Sequence, residues 1–200
     1  MKVGVIYGST RELGNTEFLT EEVVKRLPDV TKIDLKRYQF KDIIDQRHEK
    51  NGFSPVKDEY DQIIDQIIDC EVLIFATPIY WYGMTSVMKR FIDRWSQTVR
   101  DEKYPNFKEK MSQKQAYIIA VGGDNPRVKG VPLVQQFMYI CQFIGLDYKG
   151  YVLGEGAKPK DIFKDEKAIE DACKLGELLN KKNEIETVNV LEEGITESLE

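Results

Sequence analysis

The sequence predicts a doubly wound α/β domain, in which a five-stranded parallel sheet carries helices on both faces. Short apolar segments alternate five times with amphipathic ones along the 200 residues. Each return to a parallel neighbour needs a right-handed crossover, which a helix usually supplies. No internal repeat and no Gly-, Ser- or Pro-rich linker divides the chain. We therefore expect one domain over residues 1–182 and an acidic extension over residues 183–200.

The predicted strands are short apolar runs that are bounded by glycine or turn residues, as buried parallel strands are. The first, KVGVIY, reads directly into a glycine turn, and the third, EVLIFA, is more apolar than the two before it. The five strands are predicted at residues 2–7, 30–35, 71–76, 116–121 and 147–154.

Helical periodicity marks the segments between the strands. The clearest stripe runs from Met84 to Trp95 and predicts one helix there. Pro28 is expected to end the first helix, and Gly145 closes the fourth. The apolar faces that predict the other helices are Leu19, Val23, Val24 and Leu27; Tyr60, Ile63, Ile64, Ile67 and Ile68; and Ile169, Ala172, Cys173 and Gly176.

Composition and charge exclude several functional classes. The net charge is −5, and residues 183–200 contain six Glu and neither Lys nor Arg, which leaves +1 for the rest of the chain. A nearly neutral body gives no electrostatic reason to expect nucleic acid or a membrane surface. The first residues do not resemble a signal peptide, so we expect a cytoplasmic protein. The three cysteines form no C-x-x-C pair, and no metal site is predicted.

The loop after the first strand, GSTRELGNT, predicts an anion site. Backbone N–H groups at the start of the following helix attract negative charge, and Ser9, Thr10, Asn15 and Thr16 add side-chain donors beside Gly14. Arg11 can pair with the anion or lie across a ring. Together these groups suit a phosphate monoester. Glycine and hydroxyl residues also form ordinary helix N-caps, and this simpler interpretation stays open.

Other phosphate motifs do not fit this loop. A Walker A loop needs G-x-x-x-x-G-K-[ST], but five residues separate Gly8 from Gly14 and no Lys follows. A dinucleotide fingerprint needs G-x-G-x-x-G, which is absent from the loop. The loop has no Cys nucleophile, and the first and third strands do not end in the acidic residues of a response regulator.

The loop after the third strand, TPIYWYGMTS, places three aromatic residues in succession, Tyr80, Trp81 and Tyr82. Consecutive side chains point in different directions, so all three cannot enter one core. Stacking on a flat conjugated ligand is one interpretation, and a hydrophobic dimer surface is another that is compatible with it. The loop after the fourth strand, GGDNPRVKG, can bring backbone, Arg127 or Lys129 to a ligand, although a solvated turn has the same composition.

The motifs of these three loops resemble those of the NADPH-dependent FMN reductases and NAD(P)H:quinone oxidoreductases of the flavodoxin-like superfamily. The chain is similar to the branch related to iron-sulfur flavoproteins over roughly residues 1–182. The resemblance implies a flavodoxin-like fold with strand order 2-1-3-4-5. It also implies bound FMN, with Ser9, Arg11, Gly14, Asn15 and Thr16 at the phosphate. Around the isoalloxazine ring it places Pro78, Ile79, Tyr80, Trp81, Gly83, Gly122 and Gly123.

One segment departs from the family pattern. Iron-sulfur flavoproteins carry a compact group of cysteines after the second strand, whereas residues 36–58 contain none, which excludes a cysteine-bound cluster at that position. A connection of this length is unusual in a compact domain. We expect residues 38–55 to form a lid or wall of the substrate pocket. His48, the only histidine, is expected at the surface.

The predicted function is that of an oxidoreductase that passes a hydride from NAD(P)H to FMN and on to a quinone, free flavin or other small acceptor. No catalytic side chain is assigned, because FMN carries the chemistry. A single-electron carrier and a flavin-binding module without turnover are the alternatives. Carriers tend to be acidic around the flavin, and the near-neutral body counts against that class. The resemblance also implies a homodimer or homotetramer.

Overall fold

The computed structural model describes the backbone of residues 1–197 and the side chains of residues 1–185. Its strands are β1 (Val3–Tyr7), β2 (Val30–Asp34), β3 (Val72–Pro78), β4 (Gln115–Gly122) and β5 (Asp147–Glu155). Its helices are α1 (Asn15–Val24), α2 (Tyr60–Ile68), α3 (Ser86–Asp93), α4 (Trp95–Thr98), α5 (Phe107–Ser112), α6 (Pro126–Lys129), α7 (Val131–Ile144) and α8 (Glu166–Glu197).

The described strands form one parallel sheet in the order β2-β1-β3-β4-β5, which confirms the predicted fold class. The central strand β3 is apolar because it is covered on both faces. Side chains that alternate along it enter two separate cores. One core packs α1 and α8 on the sheet, and the other packs α2, α3, α4, α5 and α7 on the opposite face.

The apolar stripe from Met84 to Trp95 is buried as predicted, but the single predicted helix is two helices. Thr85 caps α3 by accepting a hydrogen bond from the backbone N–H of Met88, so Met84 lies outside the helix. Arg94 separates α3 from α4 and keeps right-handed helical dihedral angles. The stripe therefore continues on one face across the break.

Two other boundaries differ from the sequence prediction. Helix α1 ends at Val24, before Pro28, and Lys25 forms its C-cap. Helix α8 continues through the predicted division between residues 182 and 183. The acidic extension as a separate unit therefore stays a prediction, and residues 198–200 lie outside the described residues. A Cβ at Gly176 would collide with the backbone oxygen of Val23, so this glycine allows α8 to lie close to α1.

Among the described residues, no helix combines the length and apolar character that a bilayer crossing requires.

Candidate functional site

The carboxyl ends of the parallel strands meet at one edge of the sheet, where their loops enclose a cavity that we call the strand-end cavity. It brings together every predicted site residue except Trp81 and Gly83. Its lining residues are Ser9, Arg11, Gly14, Asn15, Thr16, Pro78, Ile79, Tyr80, Val121, Gly122, Gly123, Gly156 and Ala157.

The loop between β1 and α1 leaves the start of the helix open. Gly14 is the N-cap residue, and no side chain caps the helix. The hydroxyl of Ser9 donates to the backbone oxygen of Arg11 and accepts from its N–H, both at 3.1 Å, which folds the loop around the helix start. Gly14 thus fits the simpler interpretation as an N-cap, whereas the hydroxyl residues of the loop do not act as side-chain caps. The start of α1 lines the cavity, and no side chain caps its first N–H groups.

Asn15 contains an unpartnered buried atom at this position. Its Nδ2 donates to the backbone oxygen of Lys158 at 2.9 Å, while its Oδ1 is buried and has no hydrogen-bond partner among the described residues. Buried polar atoms are rarely left unpaired, because the desolvation is not compensated. The orphaned oxygen therefore calls for a ligand that can donate a hydrogen bond.

The loop after β5 is part of the cavity, which the sequence analysis did not predict. Gly156 and Ala157 line it, and the N–H of Gly156 donates to the backbone oxygen of Gly122 at 2.9 Å. A Cβ on Gly156 would lie 2.7 Å from Nδ2 of Asn15. The stretch GEGAK at the end of the fifth strand could have predicted this loop as part of the site, because parallel strands end at the same edge of a sheet.

Thr85 joins the first loop to the loop after β3, and it too was absent from the predicted site. Its hydroxyl donates to the backbone oxygen of Gly8 at 2.6 Å. A Cβ on Gly8 would lie 2.9 Å from Cβ of Met88 on α3, so only glycine fits there. Both loops are consequently fixed to the start of α3.

The aromatic residues after β3 form a tight turn that we call the aromatic turn, residues 80–83. Tyr80 and Gly83 exchange two backbone hydrogen bonds of 3.0 Å. Between them, Trp81 and Tyr82 have φ angles of 48° and 63°, the dihedral signs of a type I′ turn, which normally contains Asn and Gly. Holding bulky residues in this region costs roughly 1–2 kcal/mol each. Trp81 is 96% exposed.

The aromatic turn is tied to the loop after β4. The hydroxyl of Tyr82 donates to Oδ2 of Asp124 at 3.0 Å, and Lys129 contacts both carboxylate oxygens at 2.7 Å. Hydrogen bonds from Lys129 and Tyr82 lower the pKa of Asp124, which keeps the carboxylate charged. Trp81 and Tyr82 line a second cavity of about 170 Å³ that shares Ile79, Gly122 and Gly123 with the strand-end cavity.

Arg127, the other cationic residue of the loop after β4, forms its ion pair with a residue near the loop after β5. Arg127 pairs with Asp165 at 2.5 Å, and this carboxylate also accepts from the N–H of Glu155. Burial alone would raise the pKa of Asp165, but the hydrogen bonds from Arg127 and the backbone lower it. Arg127 is thus engaged in fixing the loop after β5, and the prediction that it reaches a ligand gains no support.

Gly122 and Gly123 allow the loops to meet closely. A Cβ at Gly122 would lie 3.1 Å from Cβ of Ile79, and a Cβ at Gly123 would lie 2.7 Å from Cβ of Ala157. Side chains at either position would push these walls apart. The two glycines therefore set the width of the flat part of the cavity.

A charged groove borders the first loop on the side of β2. Tyr7 donates to Oε1 of Glu21 at 2.9 Å, and Lys32 contacts both oxygens of that carboxylate. Burial and the neighbouring charge of Glu21 raise the pKa of Tyr7, so the phenol stays protonated. Ser9, Arg11 and Tyr38 also line this groove.

The long connection after β2 packs elsewhere. Leu35–Arg37 form a 3₁₀ turn, and residues 38–59 contain neither helix nor strand. Asp42 pairs with Arg90 at 2.6 Å, and Arg94 donates to the backbone oxygen of Lys41 at 3.1 Å, which holds the segment on α3 and α4. No residue of the segment lines the strand-end cavity. The lid prediction gains no support, whereas His48 is exposed as expected.

Comparison with known proteins places this geometry in context. The family model for NADPH-dependent FMN reductase matches residues 1–146. A Bacillus subtilis (strain 168) protein named as the NAD(P)H-dependent FMN-containing oxidoreductase YwqN is 55% identical over 175 residues, which cover 88% of this chain and 96% of that protein.

Solved structures share the fold. A Bacillus subtilis protein described as Trp repressor binding protein superposes with a TM-score of 0.74 at 48% identity, covering 87% of this chain and 97% of that one. An NAD(P)H:quinone oxidoreductase from Methanothermobacter marburgensis superposes with a TM-score of 0.65 at 16% identity, covering 90% and 96% of the two chains.

Proposed function

This chain belongs to the NADPH-dependent FMN reductase family, and we propose that its strand-end cavity holds the FMN of an NAD(P)H-dependent oxidoreductase. The protein is accordingly an FMN-containing oxidoreductase that uses NAD(P)H as co-substrate. The single observation that carries the site assignment is the start of α1, which has no side-chain cap and whose first residues line the cavity.

The first loop suits the FMN phosphate. The open N–H groups of α1 and the hydroxyl of Thr16 are hydrogen-bond donors, and Arg11 is the one charged residue among the described lining residues. The hydroxyl of Ser9 contributes by holding the loop in shape through its two bonds to the backbone of Arg11. An anion at this end of the helix also complements the helix dipole. The phosphate is therefore bound mainly by dipoles and by one guanidinium.

Asn15 and the glycine walls suit the remainder of the cofactor. The orphaned Oδ1 of Asn15 needs a donor, and the ribityl chain of FMN has several hydroxyls. The isoalloxazine ring is flat, and the close approach of Gly122 to Ile79 leaves walls of backbone and aliphatic atoms beside Tyr80. Every predicted cavity residue thus has a part of FMN that matches its chemistry.

FMN, when bound, accepts a hydride from NAD(P)H and passes electrons to a quinone, free flavin or another small acceptor. The chain supplies the position and the electrostatic environment. Backbone N–H groups around Gly122 and Gly123 are the donors available beside the ring, since Arg127 and Lys129 are paired with carboxylates. The residues that we assign to FMN in this structure are the ten predicted ones that line the strand-end cavity.

A homo-oligomer and a cytoplasmic location complete the proposal. Helix α7 exposes Met138, Tyr139 and Phe143, by 45%, 62% and 73%. Tyr139 and Phe143 line a largely apolar cavity of about 380 Å³ between α7 and the α3–α4 pair. A second copy of the chain would cover this face. The cysteines are unpaired, and NAD(P)H is a cytoplasmic reductant.

The test of the phosphate assignment is a comparison of FMN with riboflavin, which lacks the phosphate. By isothermal titration calorimetry of protein stripped of flavin, we expect FMN to bind at least a hundredfold more tightly. Ser9→Ala should weaken FMN binding about tenfold and leave riboflavin unchanged, because it removes the two hydrogen bonds that hold the loop at the phosphate position. Ser112→Ala, at an exposed position of α5, is the matched control because its hydroxyl also bonds to the backbone. Equal affinities for the two flavins would disprove the assignment.

A further inference from the structure

Trp81 stands apart from the cavity that collects ten of the twelve predicted cofactor residues. It does not line the strand-end cavity but lines the second cavity, together with Tyr82, Asp124 and Lys129. At 96% exposure it is the most exposed of the large hydrophobic side chains that the structure describes. A side chain of this size is usually placed in solvent for contact with another molecule.

The backbone holds Trp81 in this position at a conformational cost. Trp81 and Tyr82 both have positive φ angles, although neither is glycine or asparagine. Such strain persists only where surrounding contacts enforce it, and it is frequent at functional sites. Here the enforcing contacts are the two backbone bonds between Tyr80 and Gly83 and the bond from Tyr82 to Asp124.

The second cavity lies directly beside the proposed ring position. It shares Ile79, Gly122 and Gly123 with the strand-end cavity, so these residues separate the two spaces. Its volume of about 170 Å³ is smaller than a typical site for a whole ligand and suits one ring. Lys129 is neutralised by Asp124, so the cavity offers little net charge.

We infer that Trp81 forms the stacking platform for the planar π-ring of the second substrate, and that it does not bind FMN. The ring is that of an electron acceptor or of the nicotinamide, both of which are flat and must approach the flavin. The Tyr82–Asp124–Lys129 contacts act as the positioning device, because they hold the strained turn beside Gly122 and Gly123. This inference rests on the proposed function, since it requires FMN in the adjoining cavity.

Kinetics of the FMN-loaded enzyme test this role with two acceptors of different shape. Trp81→Leu should lower kcat/KM about five- to tenfold for the substrate whose ring it stacks on, either menadione, a flat quinone, or NADPH. It should leave kcat/KM for ferricyanide, an octahedral ion that cannot stack, within twofold. The Kd for FMN should also stay within twofold. Trp81→Phe should recover part of the lost kcat/KM, and Tyr151→Leu, an exposed aromatic on β5, should change none of these values.

Fluorescence gives a direct measure of binding. The chain contains two tryptophans, and Trp95 is buried, so Trp95→Phe leaves Trp81 as the single indole emitter. We expect saturable quenching of this emission in the holoenzyme by menadione, by NADP⁺ or by both. The ligand that quenches identifies which planar ring is bound, and quenching by neither would overturn the inference.

Two further outcomes would contradict the inference. A parallel loss of FMN affinity in Trp81→Leu would return Trp81 to the FMN site, and a smaller sedimentation coefficient would assign it to a subunit contact. Failure of the proposed function is distinguishable from both, because the wild-type protein would then take up no FMN. If wild-type protein binds FMN and Trp81→Leu keeps the full kcat/KM for both menadione and NADPH, only the present inference fails.

Discussion

Gly156 controls the position of Asn15, and this pair gives a sharp test at the scale of single residues. A methyl group at Gly156 would lie 2.7 Å from Nδ2 and 3.1 Å from Cγ of Asn15. Gly156→Ala should therefore displace the amide from Lys158 and weaken FMN binding about tenfold, as the loss of one partly buried hydrogen bond would. Titration of stripped protein with FMN, followed by the quenching of flavin fluorescence, measures the change.

The matched control for this prediction is Gly150→Ala. A Cβ at Gly150 meets no atom within 4 Å, so this substitution on β5 should leave the Kd for FMN unchanged. Equal effects of the two substitutions would show that β5 responds generally to lost glycine and that Asn15 is not specifically involved.

Arg94 and Asp58 form a buried ion pair that anchors the connection between β2 and α2. Their side chains are 2% and 5% exposed, and Nη1 of Arg94 donates to Oδ2 of Asp58 at 2.7 Å. The guanidinium carbon also lies 4.3 Å from the ring centroid of Tyr60. Burial raises the pKa of Asp58, but the hydrogen bonds from Arg94, Lys41 and Tyr60 outweigh it and lower the pKa overall.

Asp58→Asn should consequently destabilise the protein by about 3 kcal/mol at pH 7, because it leaves a buried guanidinium without its counter-charge. A carboxylate whose pKa is lowered by folding stabilises the native state above its unfolded pKa of about 3.9. That contribution is lost as the pH falls through the lower folded value. Urea unfolding at pH 7 and below pH 4 should show the difference from wild type narrowing in acid. A difference independent of pH would contradict this account.

The site residues that could be identified from the sequence are those whose role follows from the type of side chain alone. Ser9, Arg11, Asn15 and Thr16 were identified because helix starts and donors are legible in one short motif. Gly156 and Thr85 were missed, since their roles depend on which loops meet in space. The orientation of Trp81 was also beyond the sequence, because the motif contains no residue that favours positive φ at that position.

The aromatic turn is the element in which conformation and function oppose each other. Replacing Trp81 and Tyr82 together by Asn and Gly supplies the residues that a type I′ turn prefers. The double variant should gain about 1 kcal/mol of unfolding free energy, after allowance for the lost Tyr82–Asp124 hydrogen bond. Its kcat/KM for the substrate that stacks on Trp81, menadione or NADPH, should fall. Thermal unfolding of the flavin-free protein measures the gain.

A double variant that is less stable than wild type would show that the turn is not strained. The single substitution Tyr82→Phe serves as the control, because it removes the bond to Asp124 but keeps the backbone strain. It should destabilise the protein slightly, by less than about 1 kcal/mol, since the bond is exposed.

The sequence predicted the buried faces of the helices more reliably than the residues at which the helices begin and end. The stripe from Met84 to Trp95 predicted the buried side chains, but the break at Arg94 was not legible from periodicity. Arg94 turns toward Asp58, a residue 36 positions away, and this long-range contact has no local signal. Helix ends depend on such caps and contacts, whereas the apolar face depends only on spacing.

At the scale of the whole molecule, the sheet order was predictable because alternation of strands and helices leaves few right-handed arrangements. The resemblance in three loop motifs then selected the order 2-1-3-4-5. The path of residues 38–59 was not predictable. The segment contains neither helix nor strand, and no pattern of apolar or turn residues predicts where such a segment packs. Its position depends on Phe40, Asp58 and their tertiary partners.

The prediction that the chain forms a homo-oligomer rests on the exposed apolar face of α7. If a second copy of the chain covers this face, Tyr139→Asp places a charge in an apolar contact and should shift the protein toward the monomer. Sedimentation velocity over a range of concentrations measures the shift. Tyr151→Asp on β5 is the control and should leave the sedimentation coefficient unchanged. A wild-type protein that sediments as a monomer at all concentrations would contradict the assembly.

The central claim is that the strand-end cavity holds FMN as a two-electron redox centre. Anaerobic titration of the FMN-loaded protein with NADPH, followed by its visible absorbance, tests this claim most directly. The account predicts that the flavin band bleaches in one two-electron step with one equivalent of NADPH, and that menadione restores it. A protein that binds no flavin, or whose bound flavin keeps its absorbance in excess NADPH and NADH, would contradict the claim.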